Sequence, residues 1–205
     1  MHKKNIITRG KDIAEAKKAL IMLHGRGGTA DDILGFAAHL NVDEYALFAP
    51  EATGNSWYPL SFLALPEQNE PWLSSALNLL NELVNDINEK GIPTEQIYFT
   101  GFSQGACLSL EYVARKAKKY GGIAAFTGGL IGNKIYQENY SGDFDGTPVF
   151  IGSSDPDMHV PVERVHATTQ ILQNMHAVVT EKIYKNMGHT INEDEIEHAN
   201  RLIFK

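Results

Sequence analysis

Apolar and polar residues alternate along this chain in two rhythms. Short, mostly apolar runs at 19–23, 45–49, 96–100, 122–126 and 148–151 predict strands, several of them apolar at nearly every position, as in strands covered on both faces, and the β-branched segment 178–184 predicts another. Residues 6–8 predict a further edge strand. Between these runs, apolar residues recur at three- and four-residue steps and predict helices over 29–40, 73–89, 104–119, 162–175 and 192–202. In the first helix Thr29 is placed to cap, Asp31 and Asp32 sit at the positive end, and Ile33, Phe36, Ala37 and Leu40 share a face. The second carries Leu73, Leu77, Leu80, Val84 and Ile87 as its stripe and is stopped by Gly91 and Pro93. Strands alternating with helices imply an α/β fold with a mostly parallel central sheet flanked by helices on both faces. Ligands of such sheets bind beyond the carboxyl ends of the strands. The residues that follow each strand are therefore the ones to read for chemistry.

Two connections, 51–72 and 128–147, are longer than the rest, but neither could form a separate lid domain. A fairly open site follows. The length of 205 residues suits one domain spanning 1–205 with a sizeable core. A formal net charge of -7, with no basic run, leaves no electrostatic ground for binding nucleic acid or an anionic membrane. The single cysteine, Cys107, precludes an intrachain disulfide and fits a reducing compartment. The start, Met1-His2-Lys3-Lys4-Asn5, leads into no apolar signal segment, and no run approaches the roughly 20 apolar residues of a membrane span. A cytoplasmic protein without stable membrane association is expected.

The chemistry begins after the strand ending at Thr100, where Gly101-Phe102-Ser103-Gln104-Gly105 fits G-x-S-x-G between a strand and a helix. That turn is sharp and strained, and it lifts the serine hydroxyl above the sheet edge. The neighbouring chain passes so close that only glycine, without a Cβ, fits at the two flanking positions. Ser103 is the candidate nucleophile. A tetrahedral intermediate needs two donors aimed at its oxyanion. One is the backbone N–H of Gln104. The other comes from the loop Leu23-His24-Gly25-Arg26-Gly27-Gly28, where the N–H of Arg26 is the candidate. His24 is better placed to pack under this loop and hold it by hydrogen bonds than to act as a base. Residues 25–30 also fit G-x-G-x-x-A, a dinucleotide fingerprint, with Glu51 at about the right distance for its acid. That alternative leaves Ser103 unexplained.

Triad partners follow the serine in the order acid, then histidine, each after a later strand. His189, in the loop Lys185-Asn186-Met187-Gly188-His189-Thr190, is the candidate base. His2 is terminal, and His39, His166, His176 and His198 lie on or beside helices, whereas His159 falls in the acid loop itself. The acid is Asp155 or Asp157, and spacing alone does not choose. These two carboxylates with His159 could also be read as metal ligands, but the set is incomplete.

Taken together, LHGRG at 23–27, GFSQGA at 101–106, the Asp-x-Asp loop running to Val160-Pro161, and Gly188-His189 resemble the phospholipase/carboxylesterase family. This is the acyl-protein thioesterase-like branch of the α/β-hydrolase fold, and the likeness runs from about residue 19 to 204. It implies a hydrolase without a large lid, metal or cofactor. Its substrates would be short-to-medium acyl esters, extending to thioesters or lysophospholipids, and a peptidase would use the same triad. Matched from the Val-Pro end, the resemblance implies Asp157 as the acid, and that is the expected residue, although matching from Gly152 would select Asp155. Trp57 and Tyr58 are expected to line the substrate pocket, with packing against Phe62 as the alternative. The basic side chain of Arg26, where relatives often carry an apolar one, would favour acidic substrates. An exposed apolar patch could support a homodimer.

Overall fold

The alternation of the sequence becomes a seven-stranded sheet. A computed structural model describes residues 1–205. The strands are β1 (Ile6–Gly10), β2 (Lys18–Leu23), β3 (Tyr45–Pro50), β4 (Ile97–Phe102), β5 (Gly122–Phe126), β6 (Pro148–Asp155) and β7 (Val178–Lys185). The helices are α1 (Ala30–Phe36), α2 (Trp72–Glu89), α3 (Gln104–Arg115), α4 (Val162–Asn174) and α5 (Glu193–Leu202). Strand order is β1-β3-β2-β4-β5-β6-β7, with β1 antiparallel at one edge and all other pairs parallel. From β2 the chain moves outward to β3, then returns to place β4 on the other side of β2. The β2–β4 boundary is thus the topological switch point, the place where such sheets open a crevice.

Period-2 alternation feeds two cores. In β2, Ala19, Ile21 and Leu23 join the larger apolar cluster, while Leu20 and Met22 join the smaller one. In β4, Ile97 and Phe99 go one way and Tyr98 the other. Helices α2, α3 and α4 cover the first face; α1 and α5 cover the second. No helix is long and apolar enough to cross a membrane.

Several boundaries differ from the sequence expectation for identifiable reasons. The helix expected over 29–40 is α1 followed by a separate 3-10 turn, Ala37–His39. Thr29 does cap it, in a reciprocal box with Asp32. The helix expected to reach residue 119 stops at Arg115, because Ala117 bridges to Gly142 instead of continuing the spiral. The β6 strand runs four residues beyond the expected 151. Residues 152–155 (Gly-Ser-Ser-Asp) are poor strand formers, but each pairs with one of Lys182–Lys185 in β7.

Candidate active site

At the switch point the two glycines of the serine turn are needed for close approach. A Cβ on Gly105 would fall 2.1 Å from Leu23 O and 2.6 Å from His24 O; one on Gly101 would fall 2.6 Å from the Gly105 carbonyl. The helix α3 is therefore pressed against the end of β2, which brings the loop after β2 beside Ser103. Ser103 itself has φ 54° and ψ -117°, a conformation that side chains rarely adopt. Its N–H donates to Phe126 O at 2.9 Å and its carbonyl accepts from Cys107 N, so both neighbours hold the strained residue.

The side chains of Ser103, His189 and Asp157 meet in one chain of hydrogen bonds. His189 Nε2 lies 2.8 Å from Ser103 Oγ, and His189 Nδ1 lies 2.8 Å from Asp157 Oδ2. The other carboxylate oxygen, Oδ1, accepts the N–H groups of His159 at 2.7 Å and Val160 at 2.9 Å. Burial alone would push the Asp157 carboxyl up. The His159 N–H, the His189 ring and the Val160 N–H more than offset it and hold the group below its usual 3.8. Asp155 is the last residue of β6; its side chain is exposed and makes no hydrogen bond, while its carbonyl accepts Asn186 N. Strand pairing thus separates the two acids that spacing left open, because residues 152–155 belong to the sheet and the turn proper begins at Pro156. His159 stands edge-on to His189, with ring centroids 4.8 Å apart.

Two further side chains support this arrangement: Ser154, which sequence did not single out, and His24, in the loop-holding role expected of it. Ser154 Oγ accepts Gly188 N–H at 3.0 Å and so ties the histidine loop to the end of β6. His24, only 1% exposed, pins the loop after β2 through Nδ1 to Gly25 O and through Nε2 accepting from Ala52 N. That bonding pattern keeps the ring neutral, and burial pushes its pKa down in the same direction.

Arg26 N–H carries no hydrogen bond, and Gln104, as the first residue of α3, has no intrahelical acceptor for its own N–H. Both donors are thus unspent, in residues that line one groove with Ser103. The Arg26 guanidinium is engaged elsewhere, with its four terminal N–H groups on Ser56 Oγ and the carbonyls of Tyr58, Pro59 and Leu60. This corrects the expectation that it reads an acidic substrate.

A groove of about 950 Å³ runs past these groups. One wall comes from the larger core side, with Tyr58, Phe62, Leu63, Cys107 and Val160; the other comes from the smaller core side, with Ile33, Phe36, Phe102 and Ile191. Tyr58 lines the groove as expected, but Trp57 does not. Trp57 is fully buried behind the loop, its Nε1–H donating to His24 O at 2.9 Å and its ring 5.0 Å from the His24 ring. The dinucleotide alternative fails on local geometry. Glu51 Oε2 accepts the Ala30 N–H at 3.3 Å and Asp32 Oδ2 accepts the Thr29 N–H at 2.8 Å, so carboxylates occupy the helix N-terminus where a pyrophosphate would sit.

Known proteins with similar sequences and structures place the chain in a family. It is 30% identical to acyl-protein thioesterase 1 of Saccharomyces cerevisiae, over 94% of each chain. It is similar to the crystal structure of a phospholipase/carboxylesterase from Dyadobacter fermentans, with 56% identity, TM-score 0.99, and coverage of 100% of this chain and 98% of that one. The Bacillus cereus carboxylesterase, at 22% identity and TM-score 0.77, covers 96% of this chain and 91% of its own and shares the fold. A family model described as phospholipase/carboxylesterase matches residues 5–205, and the chain belongs to that family of carboxylic ester hydrolases, on the α/β-hydrolase fold.

Proposed function

We propose that this protein cleaves small carboxylic esters of short-to-medium acyl chains through a Ser103–His189–Asp157 triad and an acyl-enzyme. The observation that carries the reading is the unbroken hydrogen-bonded chain from Asp157 through His189 to Ser103, at 2.8 Å per link, opening on an apolar groove. His189 takes the Ser103 proton as Oγ attacks the ester carbonyl carbon. The N–H groups of Arg26 and Gln104 receive the developing oxyanion. The imidazolium then gives its proton to the leaving alcohol as the C–O bond breaks. Water, losing a proton to His189, attacks the acyl-enzyme; the carboxylic acid departs and the proton returns to Ser103. Asp157 stays ionised throughout and holds the ring with Nδ1–H toward itself.

Apolar walls on both sides of Ser103 favour an ester that is apolar on both sides of the scissile bond, rather than a charged one. Thioesters are the second reading, favoured by the 30% identity to a yeast acyl-protein thioesterase. The same triad would accept either leaving group. The test is a fluorophosphonate probe with the labelled residue mapped, run beside hydrolysis of p-nitrophenyl butyrate and the neutral thioester S-phenyl thiobutyrate. Label on Ser103, lost together with both activities in Ser103→Ala, is expected. An unlabelled protein, or label elsewhere, overturns the reading.

A further inference from the structure

The Arg26 backbone and side chain face different partners. The geometry points to the side chain as a positioning residue: by fastening the loop after β2 to residues 56–60, it sets where the Arg26 N–H stands relative to the Gln104 N–H. This rests on the ester-hydrolase reading above and adds the device that fixes its oxyanion site.

Both terminal nitrogens of Arg26 are fully used. Nη1 donates to Ser56 Oγ and to Pro59 O, each at 2.9 Å; Nη2 donates to Tyr58 O at 2.9 Å and to Leu60 O at 2.5 Å. Three consecutive main-chain carbonyls are thus gathered on one planar cation. A guanidinium can do this with its rigid fork; a lysine ammonium, with three donors on a point, cannot match it. The charge strengthens each of the four bonds.

Gln104 reaches for the same segment. Its Nε2 donates to Tyr58 O at 2.9 Å, and its Oε1 accepts Trp57 N at 2.9 Å. Tyr58 O therefore takes bonds from Arg26 and from Gln104, and a third from Ser56 Oγ at 2.8 Å. The two residues that carry the proposed oxyanion donors are tied through one carbonyl. Such a tie matters because the glycines beside Arg26 do little to fix its backbone torsions. Arg26 stands between Gly25 and Gly27, and Gly27 has φ +81° with open space around it. Oxyanion stabilisation depends on donors that need not reorganise as charge develops. Other bonds persist without the guanidinium, namely Gly27 N–H to Asn55 O at 2.7 Å and Asn55 Nδ2–H to Gly28 O at 2.9 Å. The loop should accordingly remain folded in a variant while the direction of the Arg26 N–H loosens.

The experiment compares wild type, Arg26→Leu and Arg26→Lys. Active sites are titrated with fluorophosphonate, and kcat and KM are measured on p-nitrophenyl butyrate. The affinity for butylboronic acid, which forms a tetrahedral adduct on the serine, is measured alongside. For Arg26→Leu, kcat per titrated site falls about 10-fold or more, and adduct affinity falls by the same factor as kcat/KM, while KM moves by less than about threefold. Arg26→Lys shows a smaller loss with the same pattern, and it supplies the readout if the leucine variant is insoluble. A kcat per site and an adduct affinity within about twofold of wild type would overturn the inference, even if Tm drops, since a purely structural role lowers only the number of active sites. Failure of the wild type to label at Ser103 would instead sink the ester-hydrolase reading.

Discussion

Replacing Asp157 by asparagine is the sharpest test of the site, because the surroundings dictate how an amide must sit. Oδ1 is held between two backbone N–H donors, from His159 and Val160. In the Asp157→Asn variant only the amide oxygen can take that place, so the NH2 group necessarily faces His189 Nδ1. The imidazole must then accept at Nδ1 and carry its proton on Nε2. An Nε2–H donates to Ser103 Oγ instead of accepting its proton, and the general base is lost without any change of shape. In comparable triads this tautomer reversal costs about 10⁴ in kcat, or about 5 kcal/mol of transition-state stabilisation. Asp155→Asn should stay within about twofold, since that side chain is exposed and unbonded, and exposed positions of this kind contribute little. The assay is initial-rate hydrolysis of p-nitrophenyl butyrate, with Tm recorded to show that both variants are folded. If Asp157→Asn keeps more than about a tenth of wild-type kcat, or Asp155→Asn falls as far, the assignment of the acid is refuted.

Other predictions follow from the same geometry. Gly105→Ala should destabilise by about 3 kcal/mol, the upper end of overpacking costs, because the new methyl meets backbone oxygens at 2.1 Å and 2.6 Å. Gly35→Ala, in α1 with nothing within 4 Å, should instead stabilise by about 0.5–1 kcal/mol; urea midpoints that rank the two the other way contradict the packing argument. Glu195 is fully buried with one unpartnered oxygen, and burial raises its pKa from 4.5 to about 7. Between those values the folded chain keeps a proton that the unfolded chain releases, so stability declines as pH rises through this window. Glu195→Gln should therefore gain up to about 3 kcal/mol over wild type near pH 8 and little near pH 4.5; an equal difference at both pH values would contradict this.

Much of the fold was legible because the inner strands β2 to β5 are short and mostly apolar. Runs such as 19–23 and 122–126 can be little else in an alternating chain. What local pattern could not supply was pairing. Gly152, Ser153, Ser154 and Asp155 carry no strand signal and become strand only because β7 lies alongside. That extension decides where the acid turn begins, which is why counting from Gly152 and counting from Val160-Pro161 disagreed. Ser103 and His189 could be singled out because the roles proposed for them demand a glycine-flanked turn and a loop after a strand. Trp57 was misread for the opposite reason. An aromatic in a long polar connection suggests a pocket wall, but this one buries its ring against His24 and satisfies its N–H on a loop 33 residues earlier. The bonds of the Arg26 side chain were equally invisible, since their acceptors are main-chain carbonyls some thirty positions away, and a carbonyl has no signature in sequence.

The left-handed backbone at Ser103 has a cost that the rest of the molecule must cover. A residue with a Cβ held at φ 54° forfeits about 1–3 kcal/mol, whatever chemistry its hydroxyl performs. Alanine at that position would disarm the protein yet keep the torsional penalty. Glycine would disarm it and also relieve the penalty, leaving an inert chain that outlasts the active one on heating. At the proposed nucleophile, then, side chain and backbone make opposite demands, and durability alone would be served better by glycine.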